Sequence, residues 1–235
     1  MKGNYKIIGD VELIIGKVIG DVVIEGNVSI VNSEIDLNGY SLTITGNLNQ
    51  YTMGQNCKIK INGGRLIVEG NYIIGYDTNG NLEHGYDCYS TLEMTNEADY
   101  VYVGGDFITI GGDWVDEDKT LTAGVMEVKG DFICTFEKGK YGRYVATGSH
   151  KVILSGDEEQ TVNNNDYGKL VFNELEIANE KGVKFDSITY IHLMKGNYKI
   201  IGDVELIIGK VIGDVVIEGN VSIVNSEIDL NGYSL

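Results

Sequence analysis

The chain contains no proline among its 235 residues, and it has only 18 Lys and Arg against 35 Asp and Glu. Without proline-rich or serine-rich stretches, the sequence offers no sign of flexible linkers between separate domains. The net charge of −17 argues against binding to nucleic acid and to anionic membranes, since both require a basic surface. No apolar run is long enough to cross a bilayer, so we expect no membrane insertion.

Cysteine and histidine, which commonly act in catalysis or in metal binding, are also few. The three cysteines, Cys57, Cys88 and Cys134, match no zinc-site spacing, and we interpret them as small residues in strands. The three histidines are scattered without the context of a nucleophile site, and we expect them at the surface or in strands. The acidic runs at 116–118 and 157–159 have no arginine beside them, which is typical of solvated turns. The sequence therefore predicts no enzyme and no resident cofactor.

A long internal repeat is the strongest feature that is present. Residues 1–42 recur without a single change as residues 194–235, an offset of 193 residues. We interpret 1–193 as one complete repeat and 194–235 as the start of the next, with no separate linker. Identity over this length indicates a repeat that continues covalently or stacks head to tail.

Nearly every segment alternates apolar and polar residues and is interrupted by Gly, Asn or Asp, which is the period of a β-strand. A recurring motif has alternating apolar residues, then Gly, then Asn or Asp, then another apolar residue. The predicted corner pairs are Gly26-Asn27, Gly46-Asn47, Gly70-Asn71, Gly105-Asp106 and Gly130-Asp131. We expect Gly and Asn there because sharp corners require left-handed backbone conformations.

The spacing of this motif, about 20–25 residues, is typical of an all-β, single-stranded parallel β-helix (a β-solenoid) with short strands and Gly/Asn corners. We expect about nine coils in each 193-residue repeat, or roughly 43 Å along the axis. The position two residues after each corner glycine holds an apolar residue, which predicts an internal ladder of stacked side chains. Its members are Val28, Leu48, Tyr72, Phe107 and Phe132.

An antiparallel hairpin roll or β-sandwich is the structural alternative. Asn38-Gly39 between alternating segments is a strong hairpin signal, and a two-residue turn there would pair Ile35 with Leu42. Such folds would leave the repeats as separate domains without linkers, so the solenoid is the favoured interpretation.

Several longer phrases resemble the repetitive β-helical regions of large secreted or cell-wall surface proteins of Gram-positive, clostridia-like bacteria. They are GRLIVEGNY at 64–72, MTNEADYVYVGGDF at 94–107, LTAGVMEVKGDF at 121–132 and ATGSHKVILSG at 146–156. The resemblance covers roughly residues 35–185 and implies a bacterial stalk or adhesin shaft on the cell surface, without catalytic residues. This chain departs from the pattern because it repeats a whole block of coils identically.

Two further clusters are candidates for binding. Asp77, Asn79, Asn81 and Glu83 place oxygen ligands at alternate positions, as a calcium loop does, although the glycine and the final glutamate of that motif are not where it requires them. The tyrosines Tyr76, Tyr86 and Tyr89 form a possible surface for glycans or for a host protein.

From these features we expect the repeating unit of an extracellular filament or cell-surface fibre. Its partners would be further repeats along the fibre axis, through covalent continuation or self-association, with possible lateral bundling. The alternative is an adhesin shaft or binding module with a Tyr-rich face that contacts glycans or host proteins. A polysaccharide-acting β-helix enzyme is the third hypothesis.

Overall fold

The computed structural model describes most of the chain as a parallel β-solenoid. The described residues are 4–14, 16–52, 56–75, 90–110, 119–137, 140–141, 143–164, 169–187, 189–196, 198–202, 204–223, 229–230 and 232–234. Every regular element described in these ranges is a β-strand. The prediction of an all-β parallel β-helix is confirmed.

Sheet 1 contains 12 strands, and its hydrogen-bonded order follows the chain upward from the first coil to the last. Its strands are β1 (Tyr5–Ile8), β3 (Val22–Glu25), β6 (Ser41–Ile44), β9 (Arg65–Val68), β12 (Tyr100–Val103), β14 (Val125–Val128), β17 (Arg143–Val145), β18 (Lys151–Leu154), β20 (Lys169–Ile177), β22 (Thr189–Lys195), β24 (Val204–Ile212) and β26 (Val221–Ile223).

Sheet 2 contains 11 strands and runs beside sheet 1 along the same axis. Its strands are β2 (Val11–Leu13), β4 (Val28–Val31), β7 (Leu48–Tyr51), β10 (Tyr72–Ile74), β13 (Phe107–Ile110), β15 (Phe132–Glu137), β16 (Lys140–Tyr141), β19 (Gln160–Asn163), β21 (Val183–Phe185), β23 (Tyr198–Ile201) and β25 (Val215–Glu218).

Sheet 3 forms the third face of the lower coils, with strands β5 (Glu34–Asp36), β8 (Cys57–Lys60) and β11 (Ser90–Glu93). Backbone hydrogen bonds extend this face upward, from Met94 N–H to the Thr120 carbonyl and from Thr147 N–H to the Leu121 carbonyl. β17 then pairs with the first half of β20, while β18 pairs with its second half. The long strands β20, β22 and β24 therefore bend from the third face into the face of sheet 1.

Coil length varies more than the predicted 20–25 residues. Tyr5 pairs with Val22, only 17 residues on, whereas Leu66 pairs with Val101, 35 residues on. A coil can vary this much because the additional residues lie between the paired strands, while each of these two strand pairs keeps four residues in register.

The core is a single column of apolar side chains inside the coils. Most middle strands of sheets 1 and 2 alternate buried and half-buried residues, so every second side chain points inward. In sheet 1 the inward rows are in register, and one of them runs through residues that are at most 2% exposed: Val22, Leu42, Leu66, Val101, Met126, Val152, Leu175, Met194 and Val211. Stacking of the coils thus buries apolar side chains that a single coil would leave exposed.

The hairpin alternative is wrong, although its local turn signal is correct. Asn38 and Gly39 both have positive φ, 51° and 83°, and the Tyr40 N–H donates to the Leu37 carbonyl at 2.9 Å, as in a tight turn. Ile35, however, pairs in parallel with Ile59, and Leu42 pairs with Val22 and Leu66. The turn is therefore a corner between sheets 3 and 1, and the antiparallel pair described is β15 with β16.

We expect Phe132→Ala to lower the free energy of unfolding by about 3–5 kcal/mol, because it leaves a cavity beside tightly packed rings. The Phe132 side chain is 0% exposed, and its ring centroid lies 4.9 Å from that of Phe107. Ile133→Ala is the matched control, since Ile133 is next in the same strand but points outward and is half-buried. Urea denaturation measures both variants, and equal losses would contradict the internal column.

Candidate functional site

The structural feature with the clearest repetitive design is the corner between sheet 1 and sheet 2, where all the predicted Gly-Asx pairs lie. Asn71 shows the arrangement. Its backbone N–H donates to Asn47 Oδ1 at 2.8 Å, and its own Oδ1 accepts from the Asp106 N–H at 2.8 Å. Each side chain thus caps the backbone of the coil above it, which satisfies a donor that a corner would otherwise leave exposed.

The same bond occurs six times and joins seven consecutive coils in a continuous ladder. It links Asp10 to Asn27, Asn27 to Asn47, Asn47 to Asn71, Asn71 to Asp106, Asp106 to Asp131 and Asp131 to Thr161, with N···O distances of 2.7 or 2.8 Å. Asn and Asp serve equally because the atom required is the Oδ1 acceptor, which both provide. We call this row the Asx ladder.

The Asx ladder also explains the glycines, and it corrects the predicted reason for them. Gly46, Gly70, Gly105 and Gly130 do not have positive φ, so a left-handed backbone is not what selects glycine there; among the predicted corner glycines Gly26 does, at 147°. A Cβ at Gly70 would instead lie 2.5 Å from Asn47 Oδ1 and 2.8 Å from the Gly46 carbonyl oxygen. Glycine is required because the coil below approaches too closely for a side chain.

The predicted internal ladder lies directly behind these corners. Val28 pairs with Leu48, Leu48 with Tyr72, Tyr72 with Phe107, and Phe107 with Phe132. All five side chains are at most 1% exposed. The Tyr72 and Phe107 rings meet edge-on at 5.5 Å, and Tyr144 meets Phe132 edge-on at 4.9 Å. The rings therefore add directional aromatic contacts to the apolar burial.

Buried polar groups inside the solenoid were missed by sequence reasoning. Gln50, 0% exposed, accepts from the Tyr72 hydroxyl at 2.6 Å and donates from Nε2 to the Thr91 carbonyl at 2.9 Å. Its inward position could have been read from the alternation Leu48-Asn49-Gln50, because inward residues recur at every second position. Gln50 thereby ties sheet 2 to sheet 3 across the interior.

His150 is the second missed group, and the expectation that it lies at the surface or in a strand is wrong. It is 0% exposed in a corner just before β18; its Nδ1 lies 2.8 Å from the Ala123 carbonyl oxygen and its Nε2 lies 2.6 Å from the Tyr144 hydroxyl. The carbonyl requires a proton on Nδ1, so in the neutral ring Nε2 is the nitrogen that accepts the proton of the hydroxyl. Burial lowers the pKa of His150 to about 4.

Other predicted candidates are distributed as follows. Cys57 and Cys134 are buried, and burial raises the pKa of the Cys134 thiol to about 12, which makes it unreactive. The calcium candidates Asp77, Asn79, Asn81 and Glu83 and the surface tyrosines Tyr76, Tyr86 and Tyr89 lie outside the described residues. Within the described ranges, no three His, Cys, Asp or Glu side chains are close enough to hold a metal ion. That part of the chain also has no helix with the length and hydropathy of a membrane span.

Tyr100, a tyrosine among the described residues, lies on the outer face of sheet 1. Tyr100 is covered by the Arg65 guanidinium, 4.4 Å from the ring centroid, and its hydroxyl donates to Glu127 at 2.8 Å. Partial burial, aided by that bond, raises the pKa of Tyr100 to about 12. Its ring and hydroxyl are thus already engaged within the solenoid.

The second copy of the repeated segment continues the stack. β23 pairs with β21 below it and with β25 above it, and β24 pairs with β22 and β26 in the same way. Gly209 shows how close this contact is, since a Cβ there would lie 2.7 Å from the His192 carbonyl oxygen. The identical Gly16 in the first coil has nothing within 4 Å of that position. The second copy is therefore seated on the coil below it.

Comparison with known proteins gave no match to any family model, curated protein or solved structure.

Gly70→Ala should destabilise the protein by about 2 kcal/mol or more, because the added methyl collides with backbone and side-chain oxygens of the adjacent coil. Gly16→Ala is the matched control: it changes the same residue type at a position without positive φ, where nothing lies within 4 Å of the added methyl. Thermal or urea unfolding measures both. If both substitutions are neutral, the close approach of the coils at the Gly-Asx corner does not exist.

Stability should fall on acidification through His150. The unfolded chain binds a proton near its ordinary pKa of 6.5, whereas the folded chain does so only at about 4. Unfolding is therefore favoured as the pH falls from the first value to the second, by a total of about 3 kcal/mol. Urea denaturation at about pH 7.5 and about pH 4.5 measures the loss, which should shrink in His150→Gln. An NMR titration of the His150 ring that gave a midpoint near the ordinary value would contradict this assignment.

Proposed function

We propose that this chain is the repeating unit of an extracellular filament or cell-surface fibre. The observation that carries the proposal is the unbroken pairing through the junction of the two repeats, from β20 to β22, β24 and β26 in sheet 1. Residues 193 and 194, on either side of the junction, both lie in β22. Leu175, Met194 and Val211 follow one another in the same inward row. A stack that passes from one repeat into the next can be extended by further repeats.

The mechanism of such a fibre is mechanical. Consecutive coils are joined by backbone hydrogen bonds in sheets 1 and 2, by the Asx ladder at one corner and by the buried column inside. Separating two coils breaks these contacts together, and this favours resistance to pulling and to proteolysis. Ion pairs between coils, such as Lys151 with Glu176 at 3.1 Å, lie on the outside, where each contributes little.

The charge of the surface supports the same proposal. At −17 for 235 residues, separate shafts repel one another at low ionic strength, which keeps a long rod soluble. Any lateral bundling would therefore increase with salt, because screening shortens the range of the repulsion. The resemblance to Gram-positive surface proteins agrees with a location outside the cell and is part of the proposal.

The adhesin alternative depends on Tyr76, Tyr86 and Tyr89, which lie outside the described residues. The described outer tyrosine Tyr100 does not add to it, since Arg65 covers its ring. The two acidic runs do not add to the enzyme hypothesis: residues 157–159 lie in an exposed bend, and residues 116–118 lie outside the described residues. Arg65 is engaged by Tyr100.

Electron microscopy of the native material tests the fibre. We expect unbranched rods in which each 193-residue block advances about 40 Å, since it adds a little over eight coils at about 4.8 Å each. Raising the salt concentration should bring rods together laterally without changing that axial distance. Compact globules in place of rods would overturn the proposal.

A further inference from the structure

The two identical segments share ion-pair and backbone pairings within themselves. Lys6 and Glu25 form an ion pair at 2.7 Å, as do Lys199 and Glu218, their counterparts 193 residues later. The backbone pairings match as well, with Tyr5 beside Val22 and Tyr198 beside Val215. Residues 1–42 and 194–235 are thus one folded module in two places, as far as both are described.

The two modules occupy different faces of the solenoid. In the first copy, 5–8 lies in sheet 1, 11–13 lies in sheet 2, and Lys17 bridges to Asp36 of sheet 3. In the second copy, 198–201, the counterpart of 5–8, lies in sheet 2. Each strand of the second copy thus lies on the face that follows, along the chain, the face of its counterpart in the first copy.

The remaining strands of the second copy agree with this displacement. Residues 206–208 pair with the first half of β22, which continues the third face. Residues 210–212 pair with its second half, in the face of sheet 1. The cause is visible at Met194, the counterpart of Met1. It is 0% exposed and occupies the inward row of sheet 1 beside Leu175. Because Met194 and Lys195 fill that face, the next strand, at 198–201, must cross to sheet 2.

The number of coils between the two copies gives the rotation of the second copy relative to the first. From β2 to β23, sheet 2 passes through β4, β7, β10, β13, β15, β19 and β21, so the two strands are eight coils apart. β1 lies one face before β2 in the first coil, and its counterpart is β23. The 193-residue period therefore equals eight coils and one further face of three, close to the predicted nine.

We infer that the coil containing β21 and β22 is the docking surface for the next copy of this repeat, and that it seats each copy one third of a turn away from the previous one. The partner is a further copy of the same sequence. In an array, which rests on the proposed fibre, three blocks make roughly 25 coils and return to the starting face after about 120 Å. Any surface that recurs once in each block then points to three sides of the shaft, before the twist of the solenoid itself is added.

Engineered disulfides in the 235-residue chain test the rotation directly. Lys184 and Ile201 are half-buried neighbours in sheet 2, so cysteines at both positions should be bridged, given that adjacent strands place Cα atoms about 4.8 Å apart. All variants carry Cys88→Ser, and the remaining thiols, Cys57 and Cys134, are buried. Mass spectrometry after mild oxidation measures the bridge.

A copy seated without rotation would place Lys199 in the outer row of sheet 1, the row that contains Lys6. The last member of that row within residues 1–193 is Glu176, so Lys199 would lie beside Glu176. Glu176→Cys with Lys199→Cys is therefore the competing pair, and it should not be bridged. Lys6→Cys with Val23→Cys, adjacent in the first copy, is the positive control. Near-complete bridging of the 184–201 pair alone supports the inference.

Bridging of the 176–199 pair, or of neither pair while the control is bridged, overturns the rotation. These outcomes do not depend on fibre formation, because both copies lie in the chain that is tested. Globules in the electron microscope together with a bridged 184–201 pair would reject the fibre and retain the rotation. Rods together with a bridged 176–199 pair would retain the fibre and reject the rotation.

Discussion

The contact between one coil and the next is the constraint on which the rest of this structure depends. No coil of 17 to 35 residues can bury its own apolar side chains, and each strand leaves its backbone groups unpaired until another coil lies above and below it. Three features satisfy this constraint together: parallel backbone pairing, the inward rows of apolar side chains, and the Asx ladder. All three require the same register, so they reinforce one another.

Much of the fold could be predicted from the sequence, because it depends on short-range patterns. The alternation of Val22 to Val28 and the Gly-Asx pair within it specify a strand, a corner and a strand. Stacking of Leu48, Tyr72, Phe107 and Phe132 follows from their shared distance from the corner glycine. These positions are set by local periodicity, which a single sequence displays.

Other features depend on contacts with the neighbouring coil, and these contacts cannot be read from a single sequence. From the sequence, Gly70 is expected to be glycine because of its backbone conformation. In the structure, Asn47 of the adjacent coil is what excludes a side chain at this position. From the sequence His150 is expected at the surface or in a strand, but it lies in a corner where Tyr144 and Ala123 enclose it. The one-third rotation is the clearest case, since it depends on how the insertions accumulate over eight coils and appears in no segment by itself.

Nuclear Overhauser contacts between side-chain protons of the 235-residue chain test the parallel stack most directly. The account predicts contacts from the Phe107 ring to both Tyr72 and Phe132, which are far from it in sequence but lie 5.5 and 4.9 Å from it between ring centroids. Absence of those contacts, together with short α-proton contacts between the strands on either side of Asn38-Gly39, would show an antiparallel hairpin and contradict the account.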